Sequence, residues 1–131
     1  RESHGERQDM IGAKIGKVWG NTTCLFACGG VEVHRIRIKP GYQCSRHWHK
    51  GKANQFYVIS GQLVIHTHKD GLDDKTILGP GQYTFIRPGD RHQFEAVKET
   101  DALEIYWPAG DLPPDDIIRE TQGGKVTKKS T

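Results

Sequence analysis

Hydrophobic and polar residues alternate in short runs along most of the chain. From Lys17 onward the apolar runs are rich in β-branched and aromatic side chains, and glycine, proline or acidic residues close them. This pattern predicts short β-strands joined by turns. The predicted strands cover residues 23–28, 31–39, 43–49, 55–60, 62–68, 75–78, 83–87, 92–97 and 102–107.

The spacing of these runs predicts the class of fold. Many short antiparallel strands at regular intervals form a sandwich or a small barrel, so we expect an all-β protein. Residues 31–33 and 36–38 both alternate with period two but in opposite phase, which predicts a bulge or bend near His34. A helical period is absent until residues 115–120, where one short helical turn is expected.

Length and composition indicate a single domain with frayed ends. The chain has 131 residues, and its 16 glycines exceed the usual share of ~7%, as expected for many turns. We expect residues 1–12 to be a disordered or trimmed end, residues 13–124 to form one barrel, and residues 125–131 to be a basic flexible tail. No apolar run is long enough for a membrane span or a signal peptide, so the expected location is the cytoplasm.

The charge balance argues against a nucleic-acid partner. The net charge is +3, and three lysines of the acid-free C-terminal stretch account for all of it. The remaining chain is electrically balanced and has no basic helix, so neither nucleic acid nor a membrane surface is an expected partner. The cysteines are odd in number and form no C-x-x-C pair, which favours reduced thiols; they are Cys24, Cys28 and Cys44.

Three histidines have the spacing of a metal site. His47 and His49 are two residues apart in a predicted strand, so both side chains project from the same face. A turn delivers His92 to the start of a later strand, and a third imidazole from a distant strand can complete a metal site. His66 and His68 repeat the two-residue spacing without a third partner, and we expect them to be exposed strand residues.

The glycines around these histidines complete two longer patterns. The first is G-x5-H-x-H-x4-N-x6-G from Gly41 to Gly61, and the second is G-x5-R-x-G-x2-H from Gly81 to His92. Both resemble the two motifs of the cupin superfamily and its type-2 domain. The resemblance implies a small double-stranded β-helix, or jelly-roll barrel, that holds one divalent metal. The ligand positions it implies are His47, His49, Asn54 and His92.

Two residues depart from the cupin motifs. Asn54 stands where the family has glutamate, and Arg87 stands where it has proline. Replacing a carboxylate with a neutral amide weakens a site for Mg or Mn and favours metals that accept imidazole ligands. We therefore expect one divalent transition metal among Zn, Fe, Ni, Co and Mn.

Further segments resemble the cupin domain of type II mannose-6-phosphate isomerases. They are residues 18–20, 34–36, 39–41, 52–54 and 115–119, in the same order and spacing. The resemblance implies an isomerase-like enzyme that acts on a sugar phosphate or related carbohydrate, with the metal as Lewis acid. In that family the first ligand is usually glutamine and the fourth is glutamate, so His47 and Asn54 both differ. The sequence does not identify the general base.

Cations beside the motifs are the candidates for binding a phosphate, because guanidinium and ammonium groups suit that anion. They are Arg46, Lys52, Arg87 and Arg91. Two other functions remain open: an Fe(II) dioxygenase with a three-histidine site, and a non-catalytic cupin that binds a small molecule. Apolar outer strand faces and Trp48 favour a homodimer, as the family resemblance implies.

Overall fold

The computed structural model describes residues 11–108 and 117–126, which form thirteen β-strands. The strands are β1 (Lys14–Lys17), β2 (Gly20–Cys28), β3 (Val31–Ile38), β4 (Tyr42–Gln43), β5 (His47–His49), β6 (Lys52–Ser60), β7 (Leu63–Lys69), β8 (Leu72–Leu78), β9 (Tyr83–Ile86), β10 (Arg91–Ala96), β11 (Thr100–Pro108), β12 (Ile117–Arg119) and β13 (Gly124–Lys125). The described residues contain no helix, and therefore none that could cross a membrane. The predicted all-β class is confirmed.

Two antiparallel sheets pack face to face as a jelly-roll barrel. The six-stranded sheet has the order β1-β2-β3-β11-β6-β9. In the seven-stranded sheet, β12-β5-β10-β4-β13 form one path, while β7 pairs with β10 and carries β8. Neighbouring strands in both sheets are often distant in sequence, as the pairing of β11 with β3 and β6 shows.

The inward faces of the strands divide the barrel into an apolar part and a polar part. On β3, Ile36 and Ile38 face the core, whereas Glu32 and His34 lie further towards the other end of the same inward face. The register places Glu104 beside His34 and Ala102 beside Ile36. The inward face of β11 therefore changes from apolar to polar at the same level along the barrel as that of β3. One end of the barrel interior is therefore a hydrophobic core, and the other end is lined by polar side chains.

The hydrophobic core closes the apolar end. Its central side chains are nearly inaccessible to water, and burying each of them contributes about 1.5–3 kcal/mol. They are Ile36, Ile38, Phe56, Val58, Leu63 and Ile65. This packing fixes the strands that carry the polar end.

Two local predictions are wrong. Residues 117–119 form the strand β12 on the edge of β5 and not a helical turn; residues 115–116 lie outside the described residues. The predicted irregularity near His34 is not in β3, which alternates without interruption. The pairing is irregular at this position because of the neighbouring strand β2, in which a register shift lies between Cys24 and Phe26, opposite His34 and Val33. Of the predicted ends, residues 1–10 and 127–131 also lie outside the described part of the chain.

Candidate metal centre

The two sheet segments β5 and β10 bring the three predicted histidines together. His92 pairs directly with His47 across the two strands, and His49 follows two residues later on the same face of β5. The ring centroids are separated by 4.4 Å for His47 and His92, 5.2 Å for His47 and His49, and 5.6 Å for His49 and His92. One ligating atom from each side chain lies within 4.8 Å of the other two, as binding of one metal ion requires.

Backbone carbonyl groups fix the protonation of two of the rings. Nδ1 of His47 is 2.8 Å from the carbonyl oxygen of Ser45, and Nδ1 of His92 is 2.9 Å from that of Asp90. A carbonyl oxygen only accepts hydrogen bonds, so each Nδ1 carries the proton and each Nε2 keeps its lone pair. Such contacts orient histidine ligands in metal sites.

Burial keeps the three imidazoles neutral. It lowers the pKa of His47 to about 3, with a smaller effect from the neighbouring His92. It also lowers the pKa of His49 to about 3, assisted by the charge of Lys52, and it lowers the pKa of His92. Neutral imidazole is the form that coordinates a metal, so these rings do not need to lose a proton at neutral pH.

Asn54 is the fourth polar group at this end of the barrel. Its side chain is fully buried, and its Nδ2 donates a hydrogen bond of 3.2 Å to Oε2 of Glu104. Its Oδ1 and the Nε2 of His92 are both buried without a hydrogen-bond partner. Buried polar atoms are rarely left unsatisfied, and three imidazoles with an amide oxygen fit a divalent transition metal.

A cavity of about 570 Å³ opens beside the histidines. Its walls combine groups that bind anions with groups that move protons. They include Lys17, His34, His47, Glu104, Tyr106 and Arg119. Because His47 belongs to both the histidine cluster and the cavity wall, a molecule in the cavity would lie next to the metal centre.

Glu104 is the principal residue that sequence reasoning missed. Its side chain is almost completely buried, and burial raises its pKa. The hydroxyl of Tyr106 donates a hydrogen bond to the carboxylate, while burial and the charge of Glu104 raise the pKa of Tyr106. One signal was present in the sequence: Glu104 is two residues from Ala102, and a charged residue at that position in an apolar strand faces the barrel interior.

The structure separates the four predicted phosphate-binding cations. Arg46 and Arg91 both contact the carboxylate of Glu120, at 3.1 and 2.5 Å, and each precedes an inward-facing histidine. They therefore face outward, where Arg91 covers the ring of Trp48. Arg87 pairs with Asp90 at 3.5 Å.

Lys52 differs from the three arginines because its charged group contacts a side chain of the cavity wall. Its Nζ is 4.3 Å from the ring centroid of Tyr106, the side chain that donates a hydrogen bond to Glu104. The structure thus groups His47, His49 and His92, links Asn54 to Glu104, and places the three arginines in ion pairs away from the cavity.

Solved structures with the same architecture include metal-containing proteins. Oxalate decarboxylase from Bacillus subtilis, in a structure at pH 4.6, superposes with a TM-score of 0.68 and 19% identity, over 81% of this chain and 29% of that chain. Another structure of the same enzyme concerns its Mn(II) centres; it gives a TM-score of 0.69 and 18% identity, over 81% and 29% of the two chains. CapF with bound 3-isopropenyl-tropolone gives 0.67 and 24% identity, over 81% and 33%. These similarities establish the fold.

Similarity in sequence reaches a larger protein and a defined domain family. The chain is 25% identical over 120 residues to mannose-1-phosphate guanylyltransferase of Escherichia coli K12; the aligned region is 90% of this chain and 24% of that protein. The chain thus spans about a quarter of its relative's length. The family model described as Cupin domain matches residues 34–108, more than half of the chain. With its barrel fold and its three-histidine cluster, the chain belongs to the cupin domain family.

Proposed function

We propose that this cupin is a metal-dependent isomerase-like enzyme that acts on a sugar phosphate. The observation that carries the proposal is that the carboxylate of Glu104 and the imidazole of His47 line the same cavity. Moving a hydrogen between adjacent carbons of a sugar requires both a base and stabilisation of charge at the carbonyl oxygen. Similarity to a mannose-1-phosphate guanylyltransferase supports a sugar phosphate as the class of substrate.

The residues around Glu104 suit it for proton transfer. A divalent metal held by His47, His49, His92 and Asn54 would supply a Lewis acid for the sugar carbonyl. Glu104 would take the proton from the hydroxyl-bearing carbon next to the carbonyl and return it to the former carbonyl carbon, while the hydroxyl proton passes to the former carbonyl oxygen. Hydrogen bonds from Asn54 and Tyr106 orient its carboxylate, and burial raises its pKa, which makes it a stronger base.

The variant Glu104→Gln tests this role. Glutamine has nearly the same shape and can still accept a hydrogen bond from Asn54, but it cannot act as the base. We expect kcat for interconversion of mannose 6-phosphate and fructose 6-phosphate to fall by about 10²- to 10⁴-fold, with metal content unchanged. The matched control is Glu95→Gln, because Glu95 lies outside the cavity and pairs with His66. Full activity of Glu104→Gln, or no conversion of these substrates by the metal-loaded protein, would contradict the proposal.

Asn54 favours one alternative function. Three neutral histidines without a carboxylate ligand form the kind of site that an Fe(II) dioxygenase could use. Anaerobic loading with Fe(II), followed by oxygen uptake in the presence of small thiols, diketones or phenols, tests that alternative. Saturable binding of a sugar phosphate with neither turnover nor oxygen uptake would instead identify a non-catalytic binding protein.

We also propose a homodimer formed through the outer face of the six-stranded sheet. Large apolar side chains are exposed on its strands, an arrangement typical of protein interfaces. They are Phe26, Tyr57, Ile59, Tyr83 and Phe85. Trp48, which the sequence analysis associated with a homodimer, lies on the other sheet beneath Arg91.

The variant Tyr83→Glu tests this interface. Tyr83 is 64% exposed, so its replacement should not disturb the barrel core, but a buried carboxylate would oppose dimerisation. We expect light scattering to show a dimer for the original protein and a monomer for Tyr83→Glu. The control Leu72→Glu changes a residue that is 73% exposed on β8 and should remain dimeric. A monomeric original protein would contradict the proposal.

A further inference from the structure

Arg119 extends from the short strand β12 towards the cavity. It pairs with His47 in the β12 and β5 register and lines the cavity beside that histidine. No ion pair within residues 11–108 and 117–126 involves Arg119.

Lys17 supplies a second cation to the same cavity. It ends β1, at the hairpin that leads into β2, and it reaches the cavity wall from the sheet opposite β12. The ion pairs found among the described residues do not include Lys17 either. Two positive charges therefore border a cavity that holds the carboxylate of Glu104 further inside.

We infer that Arg119 and Lys17 form the anion subsite of the cavity and bind the phosphate group of the sugar phosphate. The inference rests on the proposed function and names the part of the site that recognises the substrate. A phosphate monoester carries nearly two negative charges at neutral pH, which two cations can match. The planar guanidinium of Arg119 can also bind two phosphate oxygens at once.

The arrangement of the other arginines supports this assignment. Arg46 and Arg91 share Glu120, and Arg87 pairs with Asp90, so each of these guanidinium groups already has a carboxylate partner. Arg46 and Arg91 also face away from the cavity. Arg119 and Lys17 line the cavity, whereas none of these three arginines does.

Binding measurements on the full-length, metal-loaded protein test the subsite. Inorganic phosphate, fructose 6-phosphate and fructose are titrated by calorimetry into the original protein and into Arg119→Gln, Arg119→Lys and Lys17→Gln. We expect Arg119→Gln to weaken binding of fructose 6-phosphate and phosphate by about 10- to 100-fold, as loss of a charged hydrogen-bonded pair should. Arg119→Lys should be intermediate, and binding of fructose should change less than twofold, as should metal content.

Arg91→Gln is the matched control, because it removes a guanidinium from the outer face of the same sheet. Equal loss of phosphate binding in Arg91→Gln, unchanged binding in Arg119→Gln, or no phosphate binding by the original protein would overturn the subsite. Equally tight binding of glucuronate that also depends on Arg119 would overturn the assignment to phosphate. Arg119-dependent binding without turnover leaves the subsite standing while the isomerase proposal fails. If Arg119→Gln turns over the sugar phosphate with an unchanged KM, the isomerase proposal stands and the subsite fails.

Discussion

At the scale of single residues, orientation decides which side chains form the centre. The two-residue spacing of His47 and His49 fixes a common face from local geometry alone, so the sequence was sufficient to predict it. The spacing of Glu104 from Ala102 indicated its inward orientation, but its neighbours depend on pairing with β3 and β6, and the orientation of Arg119 depends on pairing with β5, strands distant in sequence. The same pairing left Arg46 and Arg91 on the outside, although they flank the motif histidines.

The two H-x-H pairs provide an internal comparison for metal binding. Loss of a residue that only hydrogen-bonds a metal ligand typically lowers metal affinity by about 10- to 100-fold. We expect His47→Ala to lower it by more, because this variant removes a ligand itself. His66→Ala should leave the affinity unchanged, because His66 faces outward and pairs with Glu95 at 2.8 Å. Competition with a chromophoric chelator, together with elemental analysis, measures both. Equal losses in the two variants would place the metal elsewhere.

At the scale of strands, the inward faces explain two errors of prediction. Val31 and Val33 are apolar on the outer face of β3, whereas Ile36 and Ile38 are apolar on its inner face, so the phase changes without any bulge in that strand. Residues 117–119 resemble a helix start in isolation, but backbone pairing with β5 makes them a strand. The strands that pair with β3 and with β12 are distant in sequence, so a local stretch of sequence does not predict their effect.

Gly61 joins β6 to β7 in a conformation that only glycine adopts without strain. Its φ is +92°, and a Cβ there would lie 2.4 Å from the carbonyl oxygen of Glu99. We expect Gly61→Ala to reduce the free energy of unfolding by about 2–4 kcal/mol, because strain and a backbone clash combine. Gly71→Ala is the control: its φ is +76°, but nothing lies within 4 Å of the added carbon. Gly71→Ala should cost only about 1–2 kcal/mol in urea unfolding, and equal losses would contradict the clash.

At the scale of the whole molecule, the buried histidines make stability depend on pH. Burial lowers the pKa of His47 and His49 from about 6.5 in the unfolded chain to about 3 in the folded protein. The unfolded chain therefore binds more protons between these values, and the folded state loses stability as pH falls through this range. Well above pH 6.5 both rings are neutral in the folded and the unfolded state, so their titration no longer reduces the free energy of unfolding.

Urea unfolding of the metal-free protein at pH 7.5, 6.5 and 5.5 measures the effect. Each buried histidine should lower the free energy of unfolding by up to about 1.4 kcal/mol per pH unit below pH 6.5. His47→Gln should reduce this slope, because it removes one of the two buried imidazoles. A slope that is identical in the two proteins would show that His47 is not the titrating group.

The barrel as a whole was predictable from its strand pattern, but the completion of the site was not. Residues 117–126 supply both end strands of the order β12-β5-β10-β4-β13 in the seven-stranded sheet, because β12 pairs with β5 and β13 pairs with β4. Backbone bonds from Glu120 to Arg46 and from Val126 to Gly41 fasten this segment, each spanning more than seventy residues of sequence. The cavity wall that carries Arg119 therefore depends on contacts between residues more than seventy positions apart in sequence.

This connectivity gives the site an order of synthesis during translation. His47, His49 and His92, together with Glu104, are synthesised before β12, because translation proceeds from the N-terminus. A nascent chain that stops short of residue 117 already contains every proposed metal ligand but not Arg119. Every proposed metal ligand is therefore synthesised before the strand that carries the proposed anion-binding arginine.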